Sequence, residues 1–242
     1  MPAPSSGLTP AELEHYRKAG HVTVRGSFAP EEIHEWRQEC ERLWALADAQ
    51  LDAARIQHRG RVTGGSIADR IDPVVDVSPL FAALARDARI LGPVGAALGS
   101  GAILFKDKLI SKLPGTLGYG LHQDFPYWEW LGIPAAELLS VQVAIDAATE
   151  DNGALEVFEG LHHAKVRPAP DNPLDADEAA VDPSRCKRAD LAAGDLLLFH
   201  SLVPHKSGPN TSAVSRRALF LTYCAARHAD AYQRNRARPR LG

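Results

Sequence analysis

The chain has 242 residues, 45% hydrophobic and 24% charged, which is ordinary soluble globular usage and excludes a disordered, collagenous or coiled-coil chain. Its 27 Lys and Arg against 30 Asp and Glu give a formal charge of −3, without the basic excess of a nucleic-acid binder, so a small-molecule partner is expected and no nucleic acid. The three cysteines, Cys40, Cys186 and Cys224, share no CxxC spacing, which argues against a disulfide framework or a cysteine zinc site.

Thr9 is placed to cap a helix that starts at Pro10, carries Glu12 and Glu14 early, and ends at Gly20. A short strand, HVTVRG, follows. From Pro30 to about His58, Ile33, Trp36, Cys40, Leu43, Ala47, Leu51 and Ala54 recur every three or four residues, one apolar helical stripe. RVTGGSIADRIDPVVDV reads as a loop, and two short helices over 79–86 and 88–98 close this part at Gly99. From Gly101 the period changes. AILFKDKLISKL, LLSVQVAID, ALEVFEG, ADLAAGDLLLFHS and RRALFLTYCAA are strand-like runs between turn residues, the pattern of a β-sandwich or barrel. The Pro-rich polar stretch at 164–188 is expected to be a lid over a site. One domain is expected over 1–242, with a mainly helical part at 1–100, a β core at 101–226 and a C-terminal tail at 227–242. The N-terminus lacks a basic stretch followed by an apolar one, and no run of about 18 apolar residues occurs, so a cytoplasmic location and no membrane contact are expected. Composition sets no oligomeric state.

The segment LPGTLGYGLHQDFPYWEW places His122 and Asp124 one residue apart, on the same side of a strand end. An HxD pair alone more often reads as polar residues at a turn than as a ligand pair. His205 comes 81 residues after Asp124. Two neutral imidazoles and a carboxylate on one face of an octahedral ion leave three positions open, which suits ferrous iron holding a chelating co-substrate and oxygen. Ser207 and Arg216 follow His205, and the guanidinium fork matches a carboxylate, so a dicarboxylate co-substrate fits. Phe125, Tyr127, Trp128 and Trp130 would wall the cavity mouth, although aromatic clusters also build cores. His162 and His163 would face opposite ways on a strand and, with His200, are expected to be structural or supporting; Asn152 and Gly153 form a turn.

These residues, with KLPG before the HQD, the run VQVAIDAATEDNGALEVFEGLHH and the run GDLLLFHSLVPHKSGPNTSAVSRRALFLTY, resemble the phytanoyl-CoA dioxygenase (PhyH) family of iron(II)- and 2-oxoglutarate-dependent oxygenases. The resemblance covers roughly residues 100–225, with EGLHH where the family has a Pro-Gly-Ser-His element. It implies an α+β fold, a double-stranded β-helix (jelly-roll, cupin-like) core with N-terminal helices packed against it. It further implies that His122, Asp124 and His205 hold Fe(II), and that Arg216 and Ser207 hold the distal carboxylate of 2-oxoglutarate. Lys112 matches the lysine ahead of the Pro-Gly element; Lys108 and Lys106, at alternate positions of the same strand, compete for that contact, and Gln142 would line the cavity. Phe125, Tyr127 and Trp128 would touch substrate. The implied activity is O2-dependent hydroxylation, or other C–H oxidation, of a small molecule such as occurs in secondary metabolism, with release of succinate and CO2. Related halogenases carry Gly or Ala in place of Asp124, so halogenation is not expected. A zinc hydrolase on the same barrel would leave Arg216 unexplained, and a non-catalytic binding module would leave the intact triad unexplained.

Overall fold

The computed structural model describes residues 7–47 and 51–237. Thr9 opens helix α1 (Pro10–Ala19): its hydroxyl accepts from the Glu12 amide, the Glu12 carboxylate reaches back to Thr9, and Gly20 ends the helix at φ 85°, where a Cβ would be strained. Strand β1 (His21–Val24) follows, and α2 (Pro30–Ala47) buries Ile33, Trp36, Cys40 and Leu43 along one stripe. The helix stops well short of the expected end near residue 58. Beyond the undescribed residues 48–50, Asp52 caps a single 3-10 turn and the chain enters β2 (Ile56–Gly60), so Leu51 and Ala54 do not extend the stripe. The reason is pairing. Ile56–Gly60 gives its backbone groups to β3 (Ser66–Ile71), and a ladder of hydrogen bonds outweighs a weak helical period. The stretch expected to be a loop is therefore largely a hairpin, with RVTGG as its turn.

Helices α3 (Pro79–Leu84) and α4 (Ala88–Leu98) stand as expected, each capped by the side chain before it, Ser78 and Asp87. The rest is mostly strand: β4 (Ala102–Lys112), β5 (Tyr119–His122), a single helical turn α5 (Phe125–Trp128), β6 (Leu138–Ala144), β7 (Leu155–Phe158), β8 (Cys186–Ala189), β9 (Leu196–His200), β10 (His205–Ser207) and β11 (Arg216–Ala225). The stretch expected to be a tail instead forms helix α6 (Ala231–Ala237).

Seven strands form one antiparallel sheet in the order β1-β9-β6-β11-β4-β3-β2, and four form a second in the order β5-β10-β7-β8. Strand alternation sorts the larger sheet's side chains. Leu139, Val141, Leu219, Leu221 and Tyr223 meet Trp36, Leu43, Phe81 and Ile90 of the helices on one face. Ile110, Leu197, Phe199, Ala218 and Phe220 lie on the other, against Leu155 of the smaller sheet. This is the jelly-roll sandwich with helices on one side. Among the described residues no helix is long and apolar enough to cross a membrane.

Candidate metal centre

His122 ends β5 and His205 begins β10, and the two are direct cross-strand partners. Their rings lie 4.2 Å apart. Asp124 follows on the turn into α5, its Oδ1 4.0 Å from His122 Nε2. One ligand atom from each of the three residues falls within 4.8 Å of the others. Backbone carbonyls orient both rings: His122 Nδ1 donates to Gly120 O at 2.8 Å and His205 Nδ1 to Val203 O at 3.0 Å. A carbonyl can only accept, so each Nδ1 carries the proton and each Nε2 keeps its lone pair for an ion. Ser140 Oγ donates to Asp124 Oδ2 at 2.8 Å and leaves Oδ1 on the histidine side. His205 is 4% exposed, and burial, then the neighbouring His122, pushes it down to about 4. Asp124 lies below its ordinary value: burial opposes ionisation, but His205, Lys108, His122 and the Ser140 hydrogen bond together outweigh it. With His205 held neutral and Asp124 ionised, the triad offers two imidazole nitrogens and a carboxylate oxygen, the donor set an octahedral Fe(II) accepts on one face.

Arg216 opens β11 on the face that looks between the sheets and is 1% exposed. Its Nε and Nη1 have no hydrogen-bond partner among the described residues. Burial pushes it down to about 10, so it stays charged at neutral pH. An unpaired buried guanidinium is costly, and its planar fork has the geometry that matches a carboxylate. Lys112 sits directly across from it on β4. The Lys112 ammonium donates to Ser207 Oγ at 3.0 Å and to the carbonyls of Gly208 and Gly153, and burial, then Arg216, pushes it down to about 7. A Cβ on Gly153 would collide with Gly208 O and Lys112, so the Asn-Gly turn is a close approach that only glycine allows. Gln142 shares the inward face with Ser140, and both its amide atoms are buried without a partner. Arg217 faces the helices and is bound by Asp146 at 2.7 Å.

A cavity of about 660 Å³ opens beside the triad and includes His122, Asp124, Lys106, Lys108, Tyr127 and Trp128 in its wall. Phe125 is not part of that wall; it is partly buried against a core cluster that includes Phe105 and Leu131, because the α5 turn points it away from the opening. Lys108 stands apart from Arg216: three cross-strand pairs lie between the Arg216–Lys112 and Phe220–Lys108 pairs. His162 and His163 lie on a turn, not a strand, so they do not face opposite ways as expected: their tilted rings are 4.0 Å apart, with the His200 ring 5.3 Å from that of His162. A second group of possible ligands, His15, His21 and Glu159, contains none of the expected site residues. The sequence reading missed Ser140, Arg59, Arg70 and Asp175. Ser140 was findable, since it alternates with Gln142 on one strand; the others depended on the hairpin and on the course of the 164–188 segment.

The profile of the phytanoyl-CoA dioxygenase (PhyH) family matches residues 16–218. A methylphosphonate hydroxylase of Gimesia maris is 29% identical over 92% of this chain and 83% of its own length. A 2-aminoethylphosphonate dioxygenase from an uncultured bacterium is 30% identical over 90% of this chain and 82% of its own. Among solved structures, EctD from S. alaskensis with 2-oxoglutarate and 5-hydroxyectoine aligns with a TM-score of 0.78 at 21% identity, over 93% of this chain and 79% of that one, and so shares its fold.

Proposed function

The chain belongs to the phytanoyl-CoA dioxygenase family, and on that premise we propose that His122, Asp124 and His205 hold Fe(II) while Arg216 binds the distal carboxylate of 2-oxoglutarate. The protein is an Fe(II)- and 2-oxoglutarate-dependent dioxygenase that oxidises a small molecule. When bound, iron, 2-oxoglutarate and O2 supply the oxidising power, with 2-oxoglutarate leaving as succinate and CO2.

The chain's own residues bind, orient and shield. Gly120 O and Val203 O fix the two rings, and Ser140 fixes Asp124. Arg216 fixes the far end of the co-substrate; Lys112 holds Ser207 in place beside it and adds charge to the same pocket. Gln142 offers its two unpartnered amide atoms to the co-substrate from the inward face of β6. Tyr127 and Trp128 wall the substrate side and exclude water. Lys108, which lines the cavity, serves the substrate side more than the co-substrate's far end. Asp124 fills the position that a halide would need, so the reaction ends in hydroxylation or a related C–H oxidation.

The observation that carries this reading is the pairing of an oriented His-Asp-His triad with a buried arginine whose fork has no protein partner. A zinc hydrolase would have no use for that arginine. Relatives named for phosphonates agree with a small polar substrate. Anaerobic addition of Fe(II) and 2-oxoglutarate should produce a visible metal-to-ligand charge-transfer band that neither component gives alone. Absence of the band, with Fe(II) bound elsewhere or not at all, would overturn the reading.

A further inference from the structure

Where α1 meets β1, the chain gathers polar side chains that the iron chemistry does not use. His15 stands exposed on α1, His21 opens β1, and Glu159 follows β7 in the EGLHH element. One ligand atom from each lies within 4.8 Å of the others. His21 Nε2 and Glu159 Oε1 are 3.1 Å apart, and the His15 and His21 rings meet edge to face with centroids 5.3 Å apart. The His21 side chain is 10% exposed and its Nδ1 is buried without a hydrogen-bond partner among the described residues, so the contact with Glu159 meets only one end of the ring. The backbone holds this corner together. The Gly160 amide donates to Ala19 O at 2.9 Å and the His200 amide to Gly20 O at 2.8 Å. A Cβ on Gly20 would collide with Val203 and with the His162 ring, so glycine alone lets the α1–β1 corner sit this close to EGLHH.

A histidine bonded to a glutamate is often no more than a polar pair, and such a pair needs no third donor. Here a third donor stands at ligand range, on the exposed face of a helix where its side chain can rotate inward. Two donors on a tetrahedral ion with bonds near 2.0–2.1 Å are about 3.3 Å apart, close to the His21–Glu159 spacing of 3.1 Å. We propose that His15, His21 and Glu159 bind Zn2+, a second metal site that shares no residue with the His122, Asp124 and His205 triad. Two histidines and a glutamate with solvent in the fourth position make a tetrahedral zinc set, and nitrogen and oxygen donors hold Zn2+ more tightly than Fe(II). The ion joins residues 15 and 21 to residue 159, so it clips α1 and β1 to the end of β7 across a long stretch of chain. The same corner supports the triad, since Val203, which lies against Gly20, is the residue whose carbonyl orients His205.

The test uses the whole protein, stripped of metal with a chelator and exchanged into chelator-free buffer. Zn2+ is titrated by calorimetry into the wild type, His15→Ala and Glu159→Gln. The first variant replaces an exposed side chain with a strong helix former, and the second keeps the shape of the glutamate and a hydrogen bond to His21. The triad also has donors for Zn2+, so the wild type should bind two equivalents, and each variant should keep one while the other weakens at least about ten-fold. His122→Ala, which breaks the triad, should likewise keep one. Thermal unfolding supplies a second readout, with each protein measured from its own metal-free midpoint. At a hundred-fold excess of Zn2+ over its Kd, the wild-type midpoint should rise about 5 °C more than that of His15→Ala or Glu159→Gln. Stoichiometry, affinity and thermal gain that are the same in the wild type and these two variants overturn the proposal, because the ion would then sit only at the triad or at scattered surface histidines. A His122→Ala protein that is folded by circular dichroism yet binds no Zn2+ overturns it as well.

Discussion

Two adjacent arginines on β11 have opposite environments because neighbouring strand residues face opposite ways. Arg216 is buried between the sheets with an unpartnered fork, whereas Arg217 is satisfied by Asp146. Arg216→Ala should therefore weaken 2-oxoglutarate by about thirty-fold or more, as loss of a buried charge partner of roughly 2–5 kcal/mol requires. Arg217→Ala should leave 2-oxoglutarate affinity unchanged, and titration of the charge-transfer band measures both. Reversal of that order would assign the co-substrate to the other face of the strand. Ser140 makes a finer prediction. Its hydroxyl is what turns Asp124 Oδ1 toward His122. Ser140→Ala should lower Fe(II) affinity about ten-fold or more, the usual effect of removing a group that orients a metal ligand, with 2-oxoglutarate affinity falling only through the lost metal. A direct Fe(II) titration reads it, and unchanged affinity would show that Asp124 is held by its backbone alone.

At the level of elements, the segment at 164–188 is tied to the metal strand by the middle residue of the HQD motif. Gln123 donates to Ala164 O at 2.9 Å and accepts from the Val166 amide at 2.8 Å, and Ala176 donates to Leu121 O at 2.8 Å. Asn172, Leu174 and Asp175 of this segment line the cavity. If it closes over the site, proteolysis within 164–188 should slow on adding Fe(II) and 2-oxoglutarate anaerobically. Gln123→Ala should speed the same cut several-fold in the free protein; cutting that ignores both changes would mark the segment as a passive insertion. The sequence made the capped helices and the β core plain, because caps and strand alternation are local signals: Thr9 and Gly20 bound α1, and Arg216 and Arg217 divide by face. Its errors were not local. Ile56–Gly60 and Ser66–Ile71 are strands because they extend a sheet edge beside β4, which no short window reveals, and missing them hid Arg59 and Arg70. Helix α6 was missed for the same reason, since its Tyr232 and Asn235 matter through contacts with Asp107 and Phe105 O on distant β4.

For the whole molecule, the near balance of charge continues into the cavity, where Asp72, Asp107, Asp124 and Asp175 stand among Arg59, Arg70, Lys106, Lys108 and Arg236. Protonation behaves similarly: burial holds several histidines below their ordinary value, His200 and His205 furthest. Burial pushes both His200 and His205 from 6.5 down to about 4. The unfolded chain thus takes up protons on these residues near pH 6.5, while the folded chain refuses them until about pH 4. Stability is fully present above pH 6.5 and falls as the pH drops through that window, because there the unfolded state binds more protons. Each histidine contributes about 3 kcal/mol at most, a large share of the roughly 5–15 kcal/mol typical of a folded protein. Asp124, held below its ordinary value, adds a smaller loss at still lower pH. Bound Fe(II) requires the neutral His205, so it should raise stability at pH 7 and lose that advantage as acid strips the metal. Denaturant unfolding of the metal-free protein at a series of pH values between 7 and 4, repeated with anaerobic Fe(II), checks this. The expected result is a steady fall in the metal-free midpoint and a convergence of the two curves in acid; a metal-free midpoint flat from pH 7 to 5 would mean that the folded protein accepts protons on both histidines without penalty.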